Sequence, residues 1–560
     1  MKDAIRAIIE NVIREMPLVL INTDSGRLLD KSGQASSFEK QPIFWELTSS
    51  LTSDIDHARI EREVTQYYRY AMFSHKWEEH EPLFENVIHV TVYGLKESRT
   101  YNKLKMFCKI VRDAGFHWAW SDTCCINKAD HFVLQEALVA MFKWYAGSAL
   151  TVVVLLGVRS PSQRGALVKS IWNTRAWTFQ EYHASKVVRF YNEDWTPYMN
   201  LDIHNHKESL EIILEMEEVT GISAQALMAL RPGLDDIREK LRLASTRQTS
   251  RIEDSAYSLL GMFSTSLPVV YGEGDKALGR LLAQLLTSSG DTSILAWTGK
   301  SGSFNSCLTA NIFAFHQPPT THIPLGIQGG EMDMVTAGLR TSPIDFTLVM
   351  ELYDRLHDLP VPSFAGQRLR LPCLVFKLGP VMLSRTKSGR VFRAQTTALG
   401  IVEIRTDEDI SLLGSLYLVH PWIDFLLDRQ PVGSTWSIPG GNQPTIPELP
   451  SFSSNFDSTM IQSWPAPQIN RAQRTSLATV YSSSLRPPST ILQIEKETQA
   501  LQVIVRLRQP FGALLLAPNP GNVSAYRRVA AESLITVQVQ EVMPTVLNKL
   551  VDSVRILDVL

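Results

Sequence analysis

Residues 170–181 read SIWNTRAWTFQE and set Trp172, Arg175 and Trp177 ahead of a closing carboxylate, Glu181. A carboxylate held among indole rings and a guanidinium is partly desolvated, and such a group can keep a proton near neutral pH or stabilise a developing positive charge. The same residues also fit a packed helix start, with Glu181 capping the first turn or pairing with Arg175. Position in the fold separates these readings.

Three other stretches carry groups of interest. SHKWEEHE (74–81) holds His75 and His80, but two histidines five apart do not share a helical face, so the stretch reads as a solvated loop and not a metal site. Cys124 and Cys125, beside Asp122, read as small buried thiols. VVYGEGDKALG (269–279) spaces Gly272, Gly274 and Ala277 like a dinucleotide fingerprint. It lacks the strand such a fingerprint follows, and reads as a turn opening a helix.

The elements that must position these groups alternate. A strand is expected over 67–75, a helix over 101–115, a strand over 116–122 and a helix over 132–148. The β-branched run ALTVVVLLGV (149–158) reads as a strand buried on both faces. Strand–helix repetition implies right-handed crossovers and a parallel sheet, with ligands beyond the carboxyl ends of the strands. Ser74, Asp122 and the 159–181 segment all fall at that edge, which favours chemistry at Glu181.

Around this unit, Ile5, Ile8, Ile9, Val12 and Ile13 share one face of an amino-terminal helix, a face expected to pack on its own protein. Residues 205–297 look mostly helical, including stripes over 250–263 and 276–286. Past residue 300 the segments 369–378, 501–508 and 532–540 read as strands. Nine of the chain's 29 prolines fall between 431 and 488, with many serines, marking a long irregular insertion.

The 560 residues exceed one core, and 55 basic against 57 acidic residues leave no field that would draw nucleic acid or anionic lipid. Five cysteines with no C-x-x-C pair argue against a disulfide framework or a structural zinc site and suit a reducing compartment. No apolar run is long enough to span a bilayer. A cytoplasmic address follows as the expectation.

In order, YAMFSHKWEEHEPLF (70–84), GFHWAWSDTCCINKAD (115–130), MFKWYAGSA (141–149), SIWNTRAWTFQE (170–181), FYNEDW (190–195), STRQTSRIEDSAYSLLGMF (245–263) and LPVVYGEGDKALGRL (267–281) resemble the fungal heterokaryon-incompatibility (HET) domain. The resemblance spans roughly 70–297. It differs in carrying Glu78 and Ala176 where the family usually has glycine.

The resemblance implies an α/β fold with a TIR- or flavodoxin-like parallel sheet, a helical extension and a β-rich carboxyl-terminal region. The boundaries expected are a lead-in over 1–66, a HET domain over 67–300 (α/β core 67–200, helical part 201–300) and a β-rich domain over 301–560. It implies non-self recognition and programmed cell-death signalling. By similarity to enzymatic TIR domains, Glu181 is the catalytic carboxylate that cleaves nicotinamide from the ribose of NAD as substrate. Ser74, Trp77, Asp122, Arg175 and Trp177 are the residues expected to bind that nucleotide. The alternative is a non-catalytic module that self-associates or recruits protein partners.

Overall fold

Six strands, β1 (Leu20–Asn22), β2 (Arg27–Leu29), β3 (Tyr70–His75), β4 (Trp118–Trp120), β5 (Leu150–Leu155) and β6 (Val188–Asn192), pair in the order β2–β1–β4–β3–β5–β6. The structure is a computed structural model that describes residues 2–49, 56–220, 223, 225, 230–318, 344–386, 389–422 and 488–560. β4, β3, β5 and β6 run parallel, and the β1–β2 hairpin adds an antiparallel edge. Every residue of β3 and of β5 is buried, as the unbroken apolar runs require of strands covered on both faces.

Chain order reverses between β3 and β5. The crossover after β3 leads to one side, to β4, and the crossover after β4 returns past β3 to β5. At such a switch point a crevice opens beyond the strands' carboxyl ends.

Helices pack round this sheet. α1 (Lys2–Arg14) buries Ile5, Ile9 and Ile13 against the protein's own core. α2 (Arg99–Asp113) starts where the Ser98 hydroxyl accepts from the Tyr101 N–H, and it buries Leu104, Phe107, Cys108 and Val111. α3 (His131–Gly147) starts on Asp130, whose carboxylate accepts from the Phe132 and Val133 N–H groups. α4 (Trp177–Ala184) and α5 (Lys276–Ser289) follow. The stripe over 250–263 is helical only at Asp254–Tyr257. Beyond it the chain turns so that Gly261 lies against Phe142 of α3, where an added Cβ would stand 2.1 Å from the Phe142 Cβ.

The later part of the chain contains α6 (Phe346–His357), α7 (Pro488–Leu507) and α8 (Pro544–Ser553). Its strands are β7 (Ser363–Ala365), β8 (Arg368–Lys377), β9 (Met382–Thr386), β10 (Gly389–Thr396), β11 (Gly400–Arg405), β12 (Tyr417–Pro421), β13 (Phe511–Asn519), β14 (Asn522–Val529), β15 (Ile535–Val537) and β16 (Val554–Val559). Pairings run β12–β13–β14–β16–β8 and return from β8 to β12, so these strands close a small barrel. β9, β10 and β11 form a separate meander.

The expected strand over 501–508 is a correction: these residues finish helix α7. Ala500, Leu501, Ile504 and Leu507 are all buried at helical spacing, and that stripe overrides the β-branched composition of the segment. The proline- and serine-rich insertion lies, apart from Pro488, outside the described residues. Among the described residues no helix is long and apolar enough to cross a membrane.

One hydrophobic core takes Leu241, Leu260, Leu282 and Leu295 from the helical part and Leu371, Val419, Leu514 and Leu516 from the barrel. Shared side chains therefore hold the helical part and the barrel together.

Candidate functional site at the rim of the parallel sheet

Glu181 is the fifth residue of α4, past the first turn, so its carboxylate does not cap the helix start. The side chain is 6% exposed. From the end of β3 the Ser74 hydroxyl donates to Glu181 Oε2, and Trp172 Nε1 donates to Ser74 Oγ at 2.7 Å. This chain of bonds fixes one carboxylate oxygen against the switch-point strand.

The turn that leads into α4 is stapled from the 245–248 segment. Arg247 Nη1 donates to the Arg175 carbonyl at 3.1 Å and to Thr178 Oγ1 at 3.0 Å. The Gln248 carbonyl accepts from the Ala176 N–H at 2.9 Å. Arg175 is half-buried and donates through Nη1 to the His75 carbonyl, so its charge is held at the strand end.

Desolvation pushes the Glu181 carboxyl up to about 7. The charges of Arg175 and Arg247 and the Ser74 hydrogen bond oppose the rise, while the charge of Asp122 adds to it. Near neutral pH this carboxyl exists in both protonation states.

Across the rim, Trp77 Nε1 donates to Asp122 Oδ2 at 2.8 Å, and Lys128 Nζ lies 3.6 Å from the centre of a Trp77 ring. The Trp77 side chain stays partly open to solvent. His75, stacked on Phe73 with ring centres 4.1 Å apart, is buried, with Nε2 3.7 Å from Glu81 Oε1. Burial, and then the charges of Lys103, Arg175 and Lys128, hold its imidazole well below the ordinary range, so it is neutral. Burial raises the Asp122 carboxyl and lowers the Lys128 ammonium.

Four buried polar atoms here have no hydrogen-bond partner: Nδ1 and Nε2 of His75, Oδ1 of Asp122 and Nζ of Lys128. An unpartnered buried polar atom costs free energy, roughly 1–3 kcal/mol, so such atoms are few in folded proteins. Four of them fall on three residues at one end of the sheet.

The structure brings Ser74, Asp122, Arg175 and Glu181 together at the rim, with Trp77 at its outer side. Trp177 is placed differently. Its indole hydrogen-bonds Asp254, and its ring packs between the sheet core and the helical part. His75 corrects the solvated-loop reading, because β3 continues through it and buries it. Glu78, in the usual place of glycine, is neutralised by Arg99 at 2.8 Å and Lys103 at 3.0 Å. Lys128 and Arg247 escape sequence reasoning because they come from separate loops, with no spacing that links them.

The Gly272–Gly274 turn is a closed matter internally. Its two N–H groups donate to Glu253 Oε1 at 2.8 and 3.1 Å, so a carboxylate of the chain itself sits where a fingerprint would hold phosphate. The five cysteines are buried and unpaired.

A parallel sheet with a buried carboxylate at its switch point defines an α/β protein. The family described as "Heterokaryon incompatibility protein (HET)" matches residues 70–167. The vegetative incompatibility protein HET-E-1 of Podospora anserina is 34% identical over 226 residues, covering 38% of this chain and 16% of that protein. Over this part of its length the chain is similar to HET-domain proteins. It spans only a small part of the length of the curated relative it matches, and the family match ends before Arg175 and Glu181. No solved structure matches.

Proposed function

We propose that the protein acts in heterokaryon incompatibility, and that its α/β half does so by cleaving the bond between nicotinamide and ribose in NAD. The observation that carries this reading is the buried Glu181 carboxyl at the switch point, within electrostatic reach of Arg175 and of Asp122, whose Oδ1 has no hydrogen-bond partner. In the reaction the C1′–N bond breaks, its electron pair leaves with neutral nicotinamide, and water supplies the new oxygen while releasing a proton. Ionised Glu181 stabilises the positive charge that builds on the ribose. Arg175 and Lys128 supply positive charge suited to the diphosphate, and the exposed face of Trp77 suits stacking on a ring.

A second reading rests on one feature: Glu181 is nearly closed off and already hydrogen-bonded to Ser74. In that reading the carboxyl is a strut in a signalling module that assembles with itself or with protein partners and turns nothing over.

The test is nicotinamide and ADP-ribose production by the purified full chain, run beside Glu181→Gln, with light scattering on both. Turnover in wild type and its loss by at least about a hundredfold in E181Q, at unchanged circular dichroism, supports the enzyme. Assembly with no turnover in either protein supports the strut.

A further inference from the structure

A second site stands apart from the rim, where the helical part meets the barrel. The chain after α5 passes through Thr292–Leu295 and Trp297, and faces β12, β13, β14 and β15 across a cavity of about 140 Å³. Leu295, Trp297, Ala513, Leu515, Val529 and Ile535 supply its apolar wall, and each of them is buried.

The ionisable groups in the lining, Arg528, Asp291 and His420, are already engaged within the protein. Arg528 donates to the Leu295 carbonyl at 2.8 Å and the Trp297 carbonyl at 2.9 Å, and its guanidinium lies 3.6 Å from the centre of a Trp297 ring. Asp291 Oδ1 accepts from the Ser293 N–H at 2.9 Å, and His420 Nδ1 lies 3.1 Å from the Gly512 carbonyl oxygen. Ser533 is exposed and marks the mouth.

We propose that this cavity binds a small, neutral, planar apolar molecule of one or two fused rings. The size fits: an apolar void of about 150 Å³ stays dry and accepts a benzene ring. The chemistry fits as well. Arg528 is engaged by carbonyls and the Trp297 ring and offers an anion little, while the buried side chains of the wall are aliphatic carbon and an indole.

Occupancy has a consequence for the whole chain. One wall belongs to the helical part of the α/β half and the other to the barrel, so a ligand that fills the gap stabilises the two in their docked arrangement by linkage. The barrel then serves as a sensor whose ligand is felt by the half that carries Glu181. This inference does not depend on what Glu181 does.

The probe is 5-fluoroindole, followed by fluorine NMR and by the melting temperature of the full chain. In wild type we expect saturable broadening or shift of the fluorine resonance and a melting temperature that rises with probe concentration. Ala513→Leu fills the cavity from β13 and should abolish both responses, while melting no lower than wild type without probe. If A513L fails to fold, Ile535→Phe fills the same space from β15. Absence of any saturable response in wild type overturns the proposal, and so does a response of equal size in the filled variant.

Discussion

Glu181 and Glu253 are each 6% exposed, yet they titrate in opposite directions. Glu253 lies under a thin cover close to the surface. Desolvation is its largest single influence and raises it, but hydrogen bonds from its own N–H and those of Gly274 and Gly272, with the charge of Arg251, outweigh burial and leave the carboxyl below the ordinary range. Glu181 lies deep, accepts from one hydroxyl, and is pushed up to about 7. Equal surface exposure therefore says little about charge. Depth and the number of donors decide whether a carboxylate is a permanent anion closing a turn or a proton carrier at a site.

Replacing each carboxylate should sharpen that contrast. The folded-state value of Glu181 lies above its unfolded one, so the native state holds the extra proton and stability falls as pH rises from about 4.5 to 7. Glu181→Gln keeps an acceptor for Ser74 and removes the cost of ionisation. It should be more stable than wild type by about 3 kcal/mol above pH 7, with the gap closing near pH 5. Chemical denaturation across pH reads this, and a constant gap would break the comparison.

For Glu253 the sign reverses. Its carboxylate contributes stability above the unfolded value and loses it as pH falls through the lower folded one. Glu253→Ala should cost about 1–2 kcal/mol at pH 7 by leaving the Gly272 and Gly274 N–H groups unpartnered, and less once the pH falls below the lowered folded value. The smallest effect is expected of Ser74→Ala, which removes one hydrogen bond to the Glu181 carboxylate and should move its titration midpoint higher still.

Much of the scaffold was legible because its elements are strongly patterned. The run 149–158 could only be a buried strand, and the stripes of α2, α3 and α5 follow a helical period. Helix α7 was not legible from VIVRLR, because Val503, Ile504 and Val505 suit a strand locally. Only the longer stripe from Ala500 to Leu507, packed against α6, shows the helix. At the site, Ser74, Asp122 and Glu181 could be placed together because strand ends of a parallel sheet gather at one edge. Lys128 and Arg247 could not, since a single lysine or arginine in a loop resembles any solvated one. His75 fell both at the end of the strand expected over 67–75 and in the polar stretch 74–81, and the strand reading holds because β3 runs through it and buries it. Trp177 shows the limit of reading aromatic residues near a candidate site, since its neighbour in the fold is Asp254.

The most direct measurement is an infrared titration of the carboxyl band, taken as the difference between wild type and Glu181→Gln. The account predicts a protonated-carboxyl band that belongs to Glu181 and disappears with a midpoint near pH 7. A midpoint near pH 4, where an ordinary solvated glutamate titrates, would contradict it.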